Sequence, residues 1–325
     1  MKGQYSGKSK PLPEYHVKIE SFDERIIIMP SIRKPKCITI RGCDQREHKF
    51  LVKCGEDQRQ DERIETLFEV INDLLKSDPR CYQRNLSIKT YQVIPMTNKL
   101  AFIEWLSNTK TLQSIINEAR SEEEIKIWES NNPKFVYQNK IQEFVKSDLK
   151  ELKNSNPTQE DIYGAFYKKC KRKEVNMLFN QIQSKIPWDL LRRYVRSMSS
   201  STEGYFVLRN QFISSYAVAS AASYILGIGD RHLNNILIDT NTGQVINIDF
   251  GMAFGHSVVN LQVPELMPIR LTRQILKLIA PLEDRGLFES CMNHTMRALR
   301  ENNDLLMCIL DVFIKEPSID WIVRV

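Results

Sequence analysis

Residues 227–251, GIGDRHLNNILIDTNTGQVINIDFG, constrain the fold more than any other stretch. Two apolar runs, ILID and VINIDF, flank TNTGQ, whose Asn241, Thr242 and Gly243 suit a tight turn, so a β-hairpin is expected here. Asp230 precedes the first strand, Asn235 stands at its start, and Asp249 lies at the end of the second. Folding the hairpin is expected to bring Asn235 and Asp249 side by side at one end, each on rigid backbone. An Asp and an Asn offering oxygens to one point make a hard-cation site. Magnesium uses one or two such protein oxygens and takes the rest from phosphates and water. Taken singly, a buried Asp, Asn or His is as readily a turn cap. The order of Asp230, His232, Asn235 and Asp249 in one short segment is what carries the chemistry.

Upstream, the first hundred residues are strand-rich. YHVKIE, ERIIIMP, KCITIR and KFLVK show alternation or β-branched enrichment, separated by turn-like ESFD and GCDQREH. EDQRQDERIETLFEVINDLLK follows as an amphipathic helix with Ile64, Leu67, Phe68, Ile71, Leu74 and Leu75 on one face. LSIKTYQVIPM and KLAFIEWL are further strand candidates. From Thr111 the pattern turns helical. Residues 120–187 are polar and broken by NNP and NSNP, a long helix runs near Gly204 to Leu226, and more helices follow from about Thr272. The fold class expected is α+β in two lobes: residues 1–105 as a five-stranded-type sheet plus helix, and residues 106–325 as a mainly α-helical lobe, with a connector near Glu104 to Leu112. Clefts of this kind are common ligand sites.

Composition removes several classes. With 42% hydrophobic and 26% charged residues the chain is an ordinary globular one. No segment approaches the roughly 20 apolar residues of a bilayer span, and MKGQYSGKSKPLPEYH has no apolar core, so no signal peptide is expected. Seven cysteines form no CxxC pair, which suits a reducing compartment, cytosol or nucleus. Cys54 follows a candidate functional lysine, and the plainer expectation for it is a small buried hydrophobe. Net charge is only +6; the basic cluster from Lys168 to Lys173 reads as a solvated helix face, or as a nucleic-acid contact or localisation signal.

The interval from Asp230 to Asn235 equals that of the protein-kinase catalytic loop, H-R-D-x-x-x-x-N, and Asp249 opens a D-F-G, the second metal-binding motif of kinases. Here the histidine follows the aspartate, as D-R-H. DRHLNN and IDFG, with FLVKCGEDQRQDER upstream, resemble the phosphatidylinositol-3-kinase-related protein kinases, a resemblance that covers essentially the whole chain. GQYSGKSKPLPEYHVKI, KTYQVIPMTNKLAFIEWL, VPELMPIRLTRQ and EPSIDW resemble one DNA-repair member more narrowly.

That resemblance implies a kinase fold of this family, with ATP and Mg2+ as cofactors. It implies that Lys53 contacts the nucleotide phosphates and that Glu56 and Asp61 orient it. IMPSIRKPK stands in place of a glycine-rich loop, with Ser31 as a backbone donor. Backbone groups of Glu104 and Leu106 are expected to hold the adenine, with Trp105 and Tyr91 around the base and Leu237 and Ile248 below it; Tyr91 and Leu237 also read as core packing. Asp230 accepts or orients the substrate hydroxyl, His232 stabilises charge on the transferring phosphoryl group, and Asn235 and Asp249 hold magnesium. Arg231 is expected to brace the loop. The narrower resemblance implies double-strand-break repair by non-homologous end joining, nuclear location, and Ku heterodimer and DNA ends as partners acting through regions outside this chain. The family's FAT/HEAT helical repeats and C-terminal FATC segment are expected to be absent from it; Cys54 stands where a glycine is expected, and Met252 replaces a histidine implied by the narrower resemblance.

Lipid kinases share both motifs, so the segment after D-F-G must discriminate. MAFGHSVVNLQVPELMPI, residues 252–269, contains no Lys or Arg to hold a phosphoinositide headgroup. An apolar peptide-docking surface lined by Leu261, Pro264 and Leu266 is expected instead, suited to Ser or Thr followed by Gln. An inactive scaffold is the third reading; Lys53, Asp230 and Asp249, the residues degenerate kinases lose, are all present.

Overall fold

Apolar residues spaced three and four apart along residues 59–77 force a helix that must bury one face, and the strand Val93–Thr97, which follows it, supplies part of the surface. The computed structural model describes residues 14, 16–31, 33–130, 132–148, 162, 164–165, 168, 171–261, 265 and 269–315. The chain divides into two units: 1–109 with 248–251 and 291–325, and 110–247 with 252–290. The first unit therefore takes in more than the residues before 106.

In the first unit, β1 (Ile19–Phe22), β2 (Ile27–Ile28), β3 (Lys36–Gly42), β4 (Glu47–Cys54), β5 (Val93–Thr97) and β6 (Leu100–Glu104) form one six-stranded sheet, where the sequence suggested five. The order is β1-β3-β4-β6-β5, with β2 also on β3, and the five pairings are antiparallel. ERIIIMP yields only two paired residues, and Ile26, Ile27 and Ile28 are exposed. Helix α1 (Arg59–Ser77) buries Ile64, Leu67, Phe68, Ile71, Leu74 and Leu75, as its periodicity demands.

LSIKTYQVIPM becomes a strand only from Val93. The cause is polar side chains on α1. Asn72 donates to the Ile88 carbonyl at 2.8 Å and accepts its N–H at 2.7 Å, while the Glu65 carboxylate accepts the Tyr91 N–H at 3.0 Å. Backbone groups satisfied by a helix do not need a sheet partner. Pro79 opens the short helix α2 (Pro79–Tyr82), capped by Asp78, whose carboxylate the Arg80 guanidinium holds well below the usual range.

The second unit contains α3 (Leu112–Glu118), α4 (Glu122–Ser130), α5 (Pro133–Asp148), α6 (Arg172–Ser184), α7 (Leu190–Ser197) and α8 (Thr202–Ile225). After the hairpin come α9 (His256–Asn260), α10 (Arg273–Ile279) and α11 (Leu287–Glu301), the last of which belongs to the first unit from Cys291 onward, as does α12 (Asn303–Lys315). Strands β8 (Ile236–Asp239) and β9 (Val245–Asn247) pair antiparallel, Leu237 opposite Ile246, and β7 (Thr109–Thr111) adds to β8. Small residues in α8 let this hairpin approach closely. Ser215 Oγ donates to the Gln211 carbonyl and accepts the Val245 N–H at 2.9 Å. Gly243, at φ 76°, turns the hairpin, and a Cβ there would lie 2.6 Å from the Leu208 carbonyl oxygen. The second strand ends at Asn247, short of the expected Phe250, because Asp249 takes the left-handed backbone, φ 63°.

Among the described residues no helix is long and apolar enough to cross a membrane. The described members of the basic cluster, Lys168, Lys171, Arg172 and Lys173, are exposed. The opening GQYSGKSKPLP, the NSNP break and the closing EPSIDW lie outside the described residues.

Candidate active site

The first unit carries the lysine and the D-F-G. Lys53 sits on β4 opposite Ala101, half-buried, and among the described residues it makes no ion pair. The two acids expected beside it are engaged elsewhere. Glu56 pairs with Arg33 at 3.0 Å, and Arg33 also donates to the Gly55 carbonyl at 3.3 Å. Asp61, buried in the first turn of α1, accepts the Phe250 N–H at 3.3 Å. Gln60 donates to the Phe250 carbonyl at 2.6 Å, so neighbouring residues of α1 hold both backbone polar groups of Phe250. The Phe250 ring is fully buried, edge-on to Phe68 at 5.5 Å and stacked with Tyr91 at 6.5 Å. Beside this anchor, Asp249 is exposed and Ile248 half-buried.

Tyr91 is thus a core residue, 3% exposed, and its ring faces Phe250, which is the packing alternative for that position. The Ser31 N–H donates to the Met29 carbonyl at 2.9 Å, inside its own loop. At the linker, the Glu104 carboxylate accepts the Gln92 N–H at 2.9 Å, the Trp105 N–H donates to the Lys49 carbonyl at 2.9 Å, and the Leu106 carbonyl accepts the Thr109 hydroxyl at 2.8 Å. The Leu106 N–H has no hydrogen-bond partner among the described residues. A hollow of about 350 Å3 lies beside the linker, lined by Lys49, Phe50, Gln92, Glu104, Trp105 and Ser107; Lys53, at the other end of β4, does not line it. Cys54 is exposed, against expectation, because β4 ends there and Gly55 turns the chain away at φ 88°.

The second unit carries the D-R-H loop. Asp230 is half-buried with φ 56°, and its backbone is tied at both ends. Its N–H donates to Glu265 Oε2 at 2.6 Å, and its carbonyl accepts the His232 N–H at 2.9 Å and Asn235 Nδ2 at 3.1 Å. That last bond turns the amide of buried Asn235 so that Oδ1 is the atom left to ligate. Arg231, 4% exposed, donates to the carbonyls of Gly229 at 2.9 Å and Asn235 at 3.5 Å, spanning the loop from within. His232 is exposed, and its Nδ1 accepts the Asn234 N–H at 3.2 Å. A neutral ring so held carries its proton on Nε2. Leu237 is half-buried between buried Ile236 and Ile238. Leu261 follows α9 and is half-buried; Pro264 and Leu266 lie outside the described residues.

Gln60, Glu65 and Glu265 escaped the sequence reading, and Phe68 was read only as helix core. Gln60 and Phe250 are 190 positions apart, and only GEDQRQD, already singled out for its acids, points to the first of them.

The family model described as phosphatidylinositol 3- and 4-kinase matches residues 47–323, and the chain belongs to that family. It is 50% identical over 320 residues to the DNA-dependent protein kinase catalytic subunit of Gallus gallus, and 50% identical over 322 residues to that of Xenopus laevis. Each alignment covers 98% of this chain and 8% of the relative, so the chain spans a small part of the length of the proteins it matches. Among solved structures, the FAT and kinase domain of CtTel1 matches with a TM-score of 0.71 at 29% identity, covering 90% of this chain and 19% of that one. The fold is the α+β kinase-domain fold of the phosphatidylinositol-3-kinase-related kinases, with a sheet-bearing unit and a helical one.

Proposed function

We propose that the chain is the catalytic region of an ATP- and magnesium-dependent serine/threonine protein kinase that prefers Ser/Thr-Gln sites. The 50% identity to DNA-dependent protein kinase catalytic subunits over 98% of the chain carries this reading. Intact Lys53, Asp230, Asn235 and Asp249 support it. By the same resemblance the protein acts in the nucleus, in non-homologous end joining and damage signalling. Ku and DNA ends then act through regions outside this chain.

In this reading Lys53 binds the nucleotide phosphates, and the backbone of Glu104 and Leu106 holds the adenine against Trp105, with Leu237 and Ile248 beneath. Asp230 takes the proton of the substrate hydroxyl. His232 donates from Nε2 to the transferring phosphoryl group. Asn235 and Asp249 are the magnesium ligands: a carboxamide and a carboxylate oxygen suit a cation that takes one or two protein ligands and completes its shell with phosphate and water. When bound, magnesium neutralises charge that develops on the phosphates. Positioning and electrostatics then supply most of the acceleration.

The runner-up, a phosphoinositide kinase, shares the family. Residues 252–269, without a single Lys or Arg, favour a peptide over a multiply phosphorylated headgroup. Phosphoryl transfer from Mg-ATP to a Ser-Gln peptide, its Ser-Ala variant and phosphatidylinositol, with wild type and Asp249→Asn, decides between them. Asp249-dependent labelling of the Ser-Gln peptide alone is expected. Labelling of the lipid instead overturns the reading.

A further inference from the structure

The segment that follows the D-F-G runs beside the D-R-H loop within the second unit. The Gly229 N–H donates to the Met252 carbonyl at 2.7 Å, the Gly255 N–H to the Gly227 carbonyl at 3.0 Å, and the Phe254 N–H to the Leu226 carbonyl at 2.9 Å. The next donor of the loop, the Asp230 N–H, meets a side chain instead: Glu265 Oε2 at 2.6 Å. Gly229 shows how closely that carboxylate is seated. A Cβ on Gly229 would collide with Ser257 and lie 2.7 Å from Glu265 Oε2, so no other residue fits there without displacing both.

Asp230 is an L-residue at φ 56°, a conformation disfavoured by its own Cβ. Bonds at its two peptide groups must hold it. Two of the three are internal to the loop, from His232 and Asn235. The third comes from Glu265, 35 positions downstream in the segment assigned above to peptide docking. We propose that Glu265 is a positioning residue, its carboxylate fixing the Asp230 peptide and so tying the peptide-facing segment to the catalytic loop. This rests on the protein-kinase reading for its role in the reaction, though not for the contact itself. Glu265 touches no reacting atom in this account. It acts through Asp230, by holding a peptide unit whose rotation would swing the carboxylate away from a substrate hydroxyl.

The test compares wild type, Glu265→Ala and Glu265→Gln in the complete protein. It measures kcat and KM with Mg-ATP and a Ser-Gln peptide, together with amide hydrogen exchange over residues 229–235. Loss of a charged acceptor from a catalytic-loop donor is expected to lower kcat of Glu265→Ala about tenfold to a hundredfold, with both KM values nearly unchanged. Glu265→Gln keeps a carbonyl acceptor and should recover most of the rate. Exchange over 229–235 should quicken in the alanine variant while α8 exchanges as in wild type. A raised peptide KM with kcat retained overturns the proposal, since Glu265 would then be contacting substrate. Faster exchange throughout the unit also overturns it, in favour of a general structural role. Should wild type transfer no phosphoryl group, the kinase reading falls. Exchange at 229–235 then decides alone whether Glu265 holds Asp230.

Discussion

The D-F-G and D-R-H segments solve one problem by opposite means. Each presents an aspartate in the left-handed region, Asp249 at φ 63° and Asp230 at φ 56°. At the D-F-G the anchor is apolar: the Phe250 ring fills a site between Phe68 and Tyr91, and Gln60 and Asp61 secure the peptide. At the D-R-H loop the anchor is polar: Arg231 spans the loop from inside, while Asn235, His232 and Glu265 take the Asp230 backbone. A buried ring resists displacement through packing, which has no alternative partner in water. A hydrogen-bonded loop can exchange partners. The metal-side aspartate is therefore expected to be rigidly placed, and the base-side aspartate to respond to what sits on its neighbouring segment.

Four substitutions test that contrast, in descending order of effect. Asp249→Asn should lower kcat by about a thousandfold or more, as loss of a phosphate-bridging metal ligand does, while thermal unfolding stays near wild type because the side chain is exposed. Phe250→Ala should cost about 3–5 kcal/mol of stability, read by chemical denaturation, and lower kcat with it. An unchanged stability would remove the apolar anchor from the account. Arg231→Met should cost about 2–3 kcal/mol, since charged hydrogen bonds to two buried carbonyls are lost, with kcat falling more than stability alone explains. Gln60→Ala should cost about 1 kcal/mol and slow turnover only a few-fold, because the Phe250 ring remains seated. If Gln60→Ala proved worse than Phe250→Ala, the D-F-G would be held by polar contacts like its counterpart.

Features set by local chemistry were legible in the sequence. The face of α1 follows from the spacing of Ile64, Leu67, Phe68 and Ile71, and the hairpin turn from Asn241, Thr242 and Gly243. Boundaries decided by distant partners were not. Residues 86–92 read as strand until Asn72 and Glu65 of α1 take their backbone groups. Asp249 ends the second strand through a backbone angle that no alternation pattern encodes. The site was legible as a set of residue types, because D-R-H, Asn235 and D-F-G have fixed spacing. Its supports were not, since Gln60 reaches Phe250 and Glu265 reaches Asp230 across long stretches of chain. The family resemblance implied that Glu56 orients Lys53, yet Glu56 pairs with Arg33 at 3.0 Å. That exposed pair contributes at most about 1 kcal/mol.

The most direct test of the central claim follows Asp230→Ala through two readings on one sample: phosphoryl transfer to a Ser-Gln peptide, and binding of Mg-ATP. Transfer is expected to be lost while nucleotide affinity stays close to that of wild type, since Asp230 acts on the acceptor hydroxyl. Undiminished transfer by Asp230→Ala would contradict it.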